Sequence, residues 1–261
     1  MSPSGLKKKH ETMVDEKTIK TQSLRQCLAA FKGAGDGSET DKIARLDREF
    51  FLLAQKMLYG GYLKVGDDYE IYITDVEFYY HEETPGPNQV KDPIVYHRNG
   101  RFPERKLPPF PLMTLHSHWS GFDITFEDPD GNYRASALIR EYAVYDLRGK
   151  DGGGFVKWDT STIHPEAETD SDGNPIKGVY SSEKSTVVDK RSSFLQYYLN
   201  GFSLDGTPNR IEWMDFKNPS FGQLSVDYRQ NVFSDKKTKT KDPKKWAFRR
   251  KDNLSNLRQK D

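Results

Sequence analysis

Ile73-Thr74-Asp75-Val76-Glu77-Phe78-Tyr79-Tyr80 sets two carboxylates and a phenol among β-branched and aromatic residues. Side chains on a strand alternate between faces. Asp75, Glu77 and Tyr79 are therefore expected on one face, and Thr74, Val76, Phe78 and Tyr80 on the other. If the second face packs on a core, the first presents acids flanked by rings. Such a carboxylate either takes a proton from water or is neutralised in a plain ion pair, for which Arg140 is a candidate partner. Asp92, His97 and the cluster His116-Ser117-His118-Trp119 follow downstream. An acid among aromatics and histidines suits a pocket for a flat ring such as a nucleobase.

The histidines also admit a metal. His116 and His118 point the same way on a strand, and with Asp123 or His97 they offer N and O ligands suited to zinc or a neighbouring transition metal. HExxH and CxxC are both missing from the sequence, and no third ligand sits at a diagnostic spacing. There is no P-loop, no GxGxxG and no GxSxG elbow. Gly152-Gly153-Gly154 lies in a polar stretch with no helical pattern behind it.

The elements that position these residues follow from periodicity. Residues 18–32 place Leu24, Cys27, Leu28 and Phe31 on one helical face, and Gly33 to Ser38 breaks that pattern. A stronger helix carries Leu46, Phe50, Leu53, Met57 and Leu58, with Asp41 or Asp47 as the expected cap and Gly60-Gly61 as a left-handed stop. The period then changes to two. Tyr62 to Val65, the turn Gly66-Asp67-Asp68 and Tyr69 to Tyr80 form a hairpin. Seven prolines between residues 81 and 111 mark a long, semi-rigid loop, and ordered loops of that length are usually functional. Leu112 to Phe126 reads as a strand, bent at Ser120-Gly121. Asp128-Pro129-Asp130-Gly131 reads as a turn, and Tyr133 to Tyr145 as the return strand. Residues 191–199 read as a short helix, and the signal beyond them is weak.

The chain has 261 residues, enough to bury a sizeable core. Aromatic residues reach 13%, which argues against wholesale disorder. One cysteine, Cys27, allows no internal disulfide. No apolar run is long enough to span a bilayer. A soluble, cytoplasmic protein with no membrane partner is expected. Net charge is +1, but residues 236–261 hold eleven Lys or Arg against three Asp. A basic end of this kind suits a phosphate backbone, with Lys236, Lys237, Lys244, Lys245, Arg249 and Arg250 as the contacts. The expected organisation is a poorly ordered or helical segment over 1–40, one α+β domain over 41–235 with a loop insertion at 149–190, and a basic tail over 236–261. The fold class is α+β: a curved, mostly antiparallel sheet with flanking helices.

The order of these features resembles the methylpurine (alkyladenine) DNA glycosylases. In that family a helix ends in a leucine-glycine turn. A hairpin follows, then a strand with a Glu-x-Tyr signature, a histidine loop, an aromatic-rich strand ending in an Asn-containing apolar run, and a strand reading roughly Val-Leu-Ile-Arg-Ala. Here the helix is Phe50-Phe51-Leu52-Leu53-Ala54 through Leu58-Tyr59-Gly60, and the signature is Val76-Glu77-Phe78-Tyr79. Asp92-Pro93-Ile94-Val95-Tyr96-His97-Arg98 stands for the histidine loop, Phe122-Asp123-Ile124-Thr125 for the asparagine run, and Ala135-Ser136-Ala137-Leu138-Ile139-Arg140 for the last strand. The likeness covers about residues 48–145.

The resemblance implies a hydrolase of base N-glycosidic bonds in DNA, or in RNA, that flips its base out of the stack and needs no metal or cofactor. It places Glu77 as the base that activates water for attack at C1′, and Arg140 as its support. Tyr79, His97, His116 and Asp123 become the base-binding residues. The chain differs where Met113 and His116 stand for the family's stacking and intercalating tyrosines, and Asp123 for its asparagine. It also lacks the Arg-Thr-Pro-Arg-Asn segment. Two alternatives stand beside this expectation. One is a relative that binds DNA or RNA and cleaves nothing. The other is a metal-dependent hydrolase using His116, His118 and Asp123.

Overall fold

The computed structural model describes residues 14–92, 95, 108–118, 121–148, 153–156, 211–227 and 246–252. Three helices open the chain: α1 (Glu16–Thr21), α2 (Leu24–Ala30) and α3 (Glu39–Tyr59). The single helix expected over 18–32 is two, because Ser23 builds a capping box. Its hydroxyl accepts from the Gln26 amide at 3.2 Å, and the Gln26 side chain accepts from the Ser23 amide at 2.9 Å. α3 is capped by Ser38, with Asp41 as the reciprocal third residue of its box. Asp47 accepts instead from the Trp246 indole N–H. Gly60 has φ −96°, ψ −4°, so α3 does not end in the left-handed cap. Glycine is needed there for proximity: a Cβ on Gly60 would lie 2.4 Å from the Lys56 carbonyl oxygen, and one on Gly61 would lie 2.1 Å from that of Met214.

Among the described residues nine strands form one sheet, every pairing antiparallel. They are β1 (Gly61–Val65), β2 (Tyr69–Glu82), β3 (Leu115–His118), β4 (Gly121–Thr125), β5 (Tyr133–Asp146), β6 (Gly154–Val156), β7 (Ile211–Asp215), β8 (Leu224–Asp227) and β9 (Trp246–Arg250). The main order is β3-β4-β5-β2-β1-β7, with β6 beside β5, and with β9 beside β2 and followed by β8. This is the expected α+β architecture. The β1–β2 hairpin matches the sequence reading. The strand expected over 112–126 is two antiparallel strands, β3 and β4. Residues 154–156 of the expected insertion pair with β5. The remainder of 157–190, the 191–199 helix and residues 236–245 lie outside the described residues.

α3 packs on one face of β1, β2 and β9. Phe50 stacks on Phe78 with ring centres 4.8 Å apart and meets Trp246 edge-on at 4.9 Å. Each such ring contributes about 1.5–3 kcal/mol through burial. Ile71, Ile73, Val76, Phe78 and Tyr80 of β2 face this core. Ile73 and Val76 both face inward because the register slips between Ile73 and Asp75 and again before Val76. Thr74 on β2 and Arg140 on β5 are the residues left over. These irregularities let Arg140 and Glu141, adjacent in sequence, sit between the core residues Ile139 and Tyr142.

The basic tail is corrected at its centre. Trp246 to Arg250 is an inner strand beside β2, with Trp246 and Phe248 in the core. Arg250 is buried. It is ion-paired with Asp252, donates to the Leu58 carbonyl and lies over the Tyr59 ring at 4.0 Å. That environment closes α3 and leaves no room for a phosphate.

Candidate functional site

The face of β2 turned away from α3 carries Asp75, Glu77, Tyr79 and His81. Glu77 is fully buried. Arg140 meets its Oε2 with both Nε and Nη2 at 2.7 Å, and Nη2 also donates to the Tyr79 oxygen at 3.1 Å. Arg140 thus links the Glu77 carboxylate to the Tyr79 phenol. Burial pushes the Tyr79 phenol well above its ordinary value, and the Glu77 charge raises it further against the pull of Arg140. Tyr79 therefore stays protonated and serves as a donor. The bulge on β5 turns Arg140 toward Glu77, and the ion-pair partner expected from sequence is the one observed.

Cross-strand pairing adds a second carboxylate. Ala247, Glu77, Leu138, Asp123 and His116 are successive partners across β9, β2, β5, β4 and β3. Asp123 is buried, and its Oδ2 accepts from the Ser136 hydroxyl at 3.2 Å. Its charge also reaches Tyr79. At the end of the row His116 lies against Phe110, ring centres 4.9 Å apart. Leu138, between the two acids, packs with Tyr79 and Val95. The sheet thus brings Glu77, Arg140, Tyr79, Asp123 and His116 to one face. His97, Lys236, Lys237, Lys244 and Lys245 lie outside the described residues.

Several contributors escaped sequence reasoning. His81 is in phase with Glu77 and Tyr79, and its Nδ1 accepts from the Asp92 amide at 3.1 Å, fastening the segment that leads to His97. Leu138 and Val95 form the apolar part of the surface. Arg249, expected on a nucleic-acid backbone, reaches inward: its Nε and Nη2 each lie 2.9 Å from Asp75 Oδ2, and Nη2 lies 3.3 Å from Glu141 Oε2. Met113 has the left-handed φ of 63° in a non-glycine residue, a strained conformation beside β3.

The arrangement pairs a buried carboxylate with a guanidinium, offers a phenol as a donor and sets a second carboxylate as an acceptor across a leucine. Among the described residues no group of three or more His, Cys, Asp or Glu converges as a metal-ligand set. No helix among them is long and apolar enough to cross a membrane. No family model, curated protein or solved structure matches the chain.

Proposed function

We propose that this protein hydrolyses the N-glycosidic bond of a base in DNA, or in RNA, with Glu77 as the general base. The observation that carries the reading is the buried Glu77 carboxylate held by Arg140, which also donates to the Tyr79 phenol on the same face of the strand. A structural ion pair needs no phenol in phase with it and no second carboxylate in the same cross-strand row. The resemblance of Val76–Tyr79 and Ala135–Arg140 to the methylpurine DNA glycosylases supports the same assignment.

In the proposed reaction a water oxygen forms a bond to C1′ of the sugar. Its proton passes to Glu77. The C1′–N bond breaks, and its electron pair leaves with the base. The products are an abasic sugar bearing a C1′ hydroxyl and the base, which leaves as its anion and takes up the proton that Glu77 then releases. The oxocarbenium-like transition state gains from the nearby carboxylate charge. Arg140 orients that carboxylate through two contacts to its Oε2. Tyr79, Asp123, His116 and His97 contact the flipped base, and Lys236, Lys237, Lys244 and Lys245 bind the backbone. The single Cys27, a buried thiol pushed up to about 11, suits a reducing cytoplasmic setting.

Incubation with a panel of alkylated, deaminated and oxidised duplexes, followed by alkali, tests the proposal. Strand breaks at abasic sites are expected with wild type, and Glu77→Gln should reduce them about 10²–10⁴-fold. Binding without cleavage across the panel would leave the non-catalytic reading in its place.

A further inference from the structure

We propose that Arg249, supplied by the last strand, is a positioning residue that keeps Arg140 on Glu77. This rests on the reading of Glu77 and Arg140 as the water-activating pair. Asp75 and Glu141 are direct cross-strand partners, and both are carboxylates. Like charges placed opposite each other in a sheet repel. They flank the register irregularity that leaves Thr74 over on one strand and Arg140 on the other. Arg249 sits between them: Nε and Nη2 lie 2.9 Å from Asp75 Oδ2, and Nη2 lies 3.3 Å from Glu141 Oε2. Its guanidinium thus clamps the bulge from the neighbouring strand, where Arg249 partners Asp75.

The clamp bears on the site because Arg140 adjoins Glu141 in sequence and faces the same side of the sheet. Among the described residues Arg140 serves Glu77, and Arg249 serves Asp75 and Glu141. Without Arg249, Arg140 is the neighbouring cation for the repelling pair and is drawn off Glu77. Arg249 can act this way because it is half-exposed, whereas Asp75 is buried. No contact with a base is implied.

The test is arginine-labelled NMR on the full chain, following the Arg140 Nε–H that donates to Glu77 and assigning it by its loss in Arg140→Lys. Arg249→Met should speed exchange of that proton by about tenfold or more. Adding Glu141→Gln, which removes the repulsion, should restore protection. Arg249→Lys keeps the charge without the fork and should fall between. Unchanged Arg140 protection in a folded Arg249→Met chain overturns the proposal, as does failure of Glu141→Gln to rescue. Should Arg249→Met not fold, Arg249→Lys decides alone: protection equal to wild type overturns. In the cleavage assay Arg249→Met should lower kcat with KM little changed. If wild type cleaves nothing, the glycosidase reading fails, while the exchange result still decides the role of Arg249.

Discussion

Glu77 and Asp123 face the same side of the sheet, each a direct cross-strand partner of Leu138. Two strand spacings put their backbones about 10 Å apart. Their settings divide the labour. Arg140 fixes Glu77, whereas Asp123 accepts from the weaker donor Ser136. An ionised carboxylate accepts hydrogen bonds and donates none. On the proposed function, Asp123 selects a ring edge bearing N–H groups.

Asp123→Asn should therefore weaken discrimination for bases that present an amino or protonated ring edge. A lost charge-assisted hydrogen bond of about 1.5–3 kcal/mol corresponds to a change of roughly ten- to hundredfold. Competition between amino- and keto-bearing bases in matched duplexes measures it. An unaltered ratio would remove Asp123 from base recognition.

The Glu77–Arg140 pair has a stability signature that needs no substrate. Removing one partner of a buried ion pair typically costs about 3–5 kcal/mol, while replacing both is often close to neutral. Arg140 is partly exposed, so Arg140→Met belongs at the low end, about 3 kcal/mol. Glu77→Gln with Arg140→Met should regain most of that loss. Urea unfolding of both singles and the double forms the cycle. Additive losses would mean the two side chains are energetically independent.

The faces of β2 were legible because Val76, Phe78 and Tyr80 alternate with Glu77 and Tyr79, and alternation survives wherever one face is buried. Arg140 was legible as a partner through the return strand of the hairpin. The register irregularity was not, because a bulge inserts a residue without changing local composition. It was what set Arg140 and Glu141 together between inward residues. The last strand was missed for a different reason. In Trp246-Ala247-Phe248-Arg249-Arg250 the alternation of Trp246 and Phe248 is present, but it spans only two inward residues inside a strongly basic stretch. Arg249 finds its carboxylates, Asp75 and Glu141, at a distance in sequence that no local pattern reports.

Glu49, on α3, should give stability a pH dependence. Its carboxylate is buried, and among the described residues neither oxygen has a hydrogen-bond partner. Burial raises it from 4.5 to about 7, opposed by Arg48 and Arg45. The folded chain then holds a proton that the unfolded chain has released across this window. Its contribution is fully present below about pH 4.5 and is lost as pH rises through about 7. The loss amounts to about 3 kcal/mol. Glu49→Gln should flatten this slope and leave the variant more stable than wild type at pH 8. Parallel wild-type and variant profiles between pH 5 and pH 8, roughly the window that linkage sets, would exclude Glu49 as the source.

The basic end separates into a structural and a binding part, and two sets of substitutions tell them apart. Trp246 fills the core against Phe50 and bonds Asp47. Trp246→Ala should cost about 3–5 kcal/mol, with DNA affinity of the folded fraction unchanged. Lys236, Lys237, Lys244 and Lys245 replaced together by Gln should leave the melting temperature close to wild type. Each released phosphate contact carries about 0.9 of the slope of log K against log salt. Loss of four contacts should flatten that slope by about 3–4. Removing residues 236–261 outright would confound these effects, because it also strips β9 from β2. A quadruple variant with the wild-type slope would show that these lysines do not touch the backbone, and would move any nucleic-acid contact to other residues.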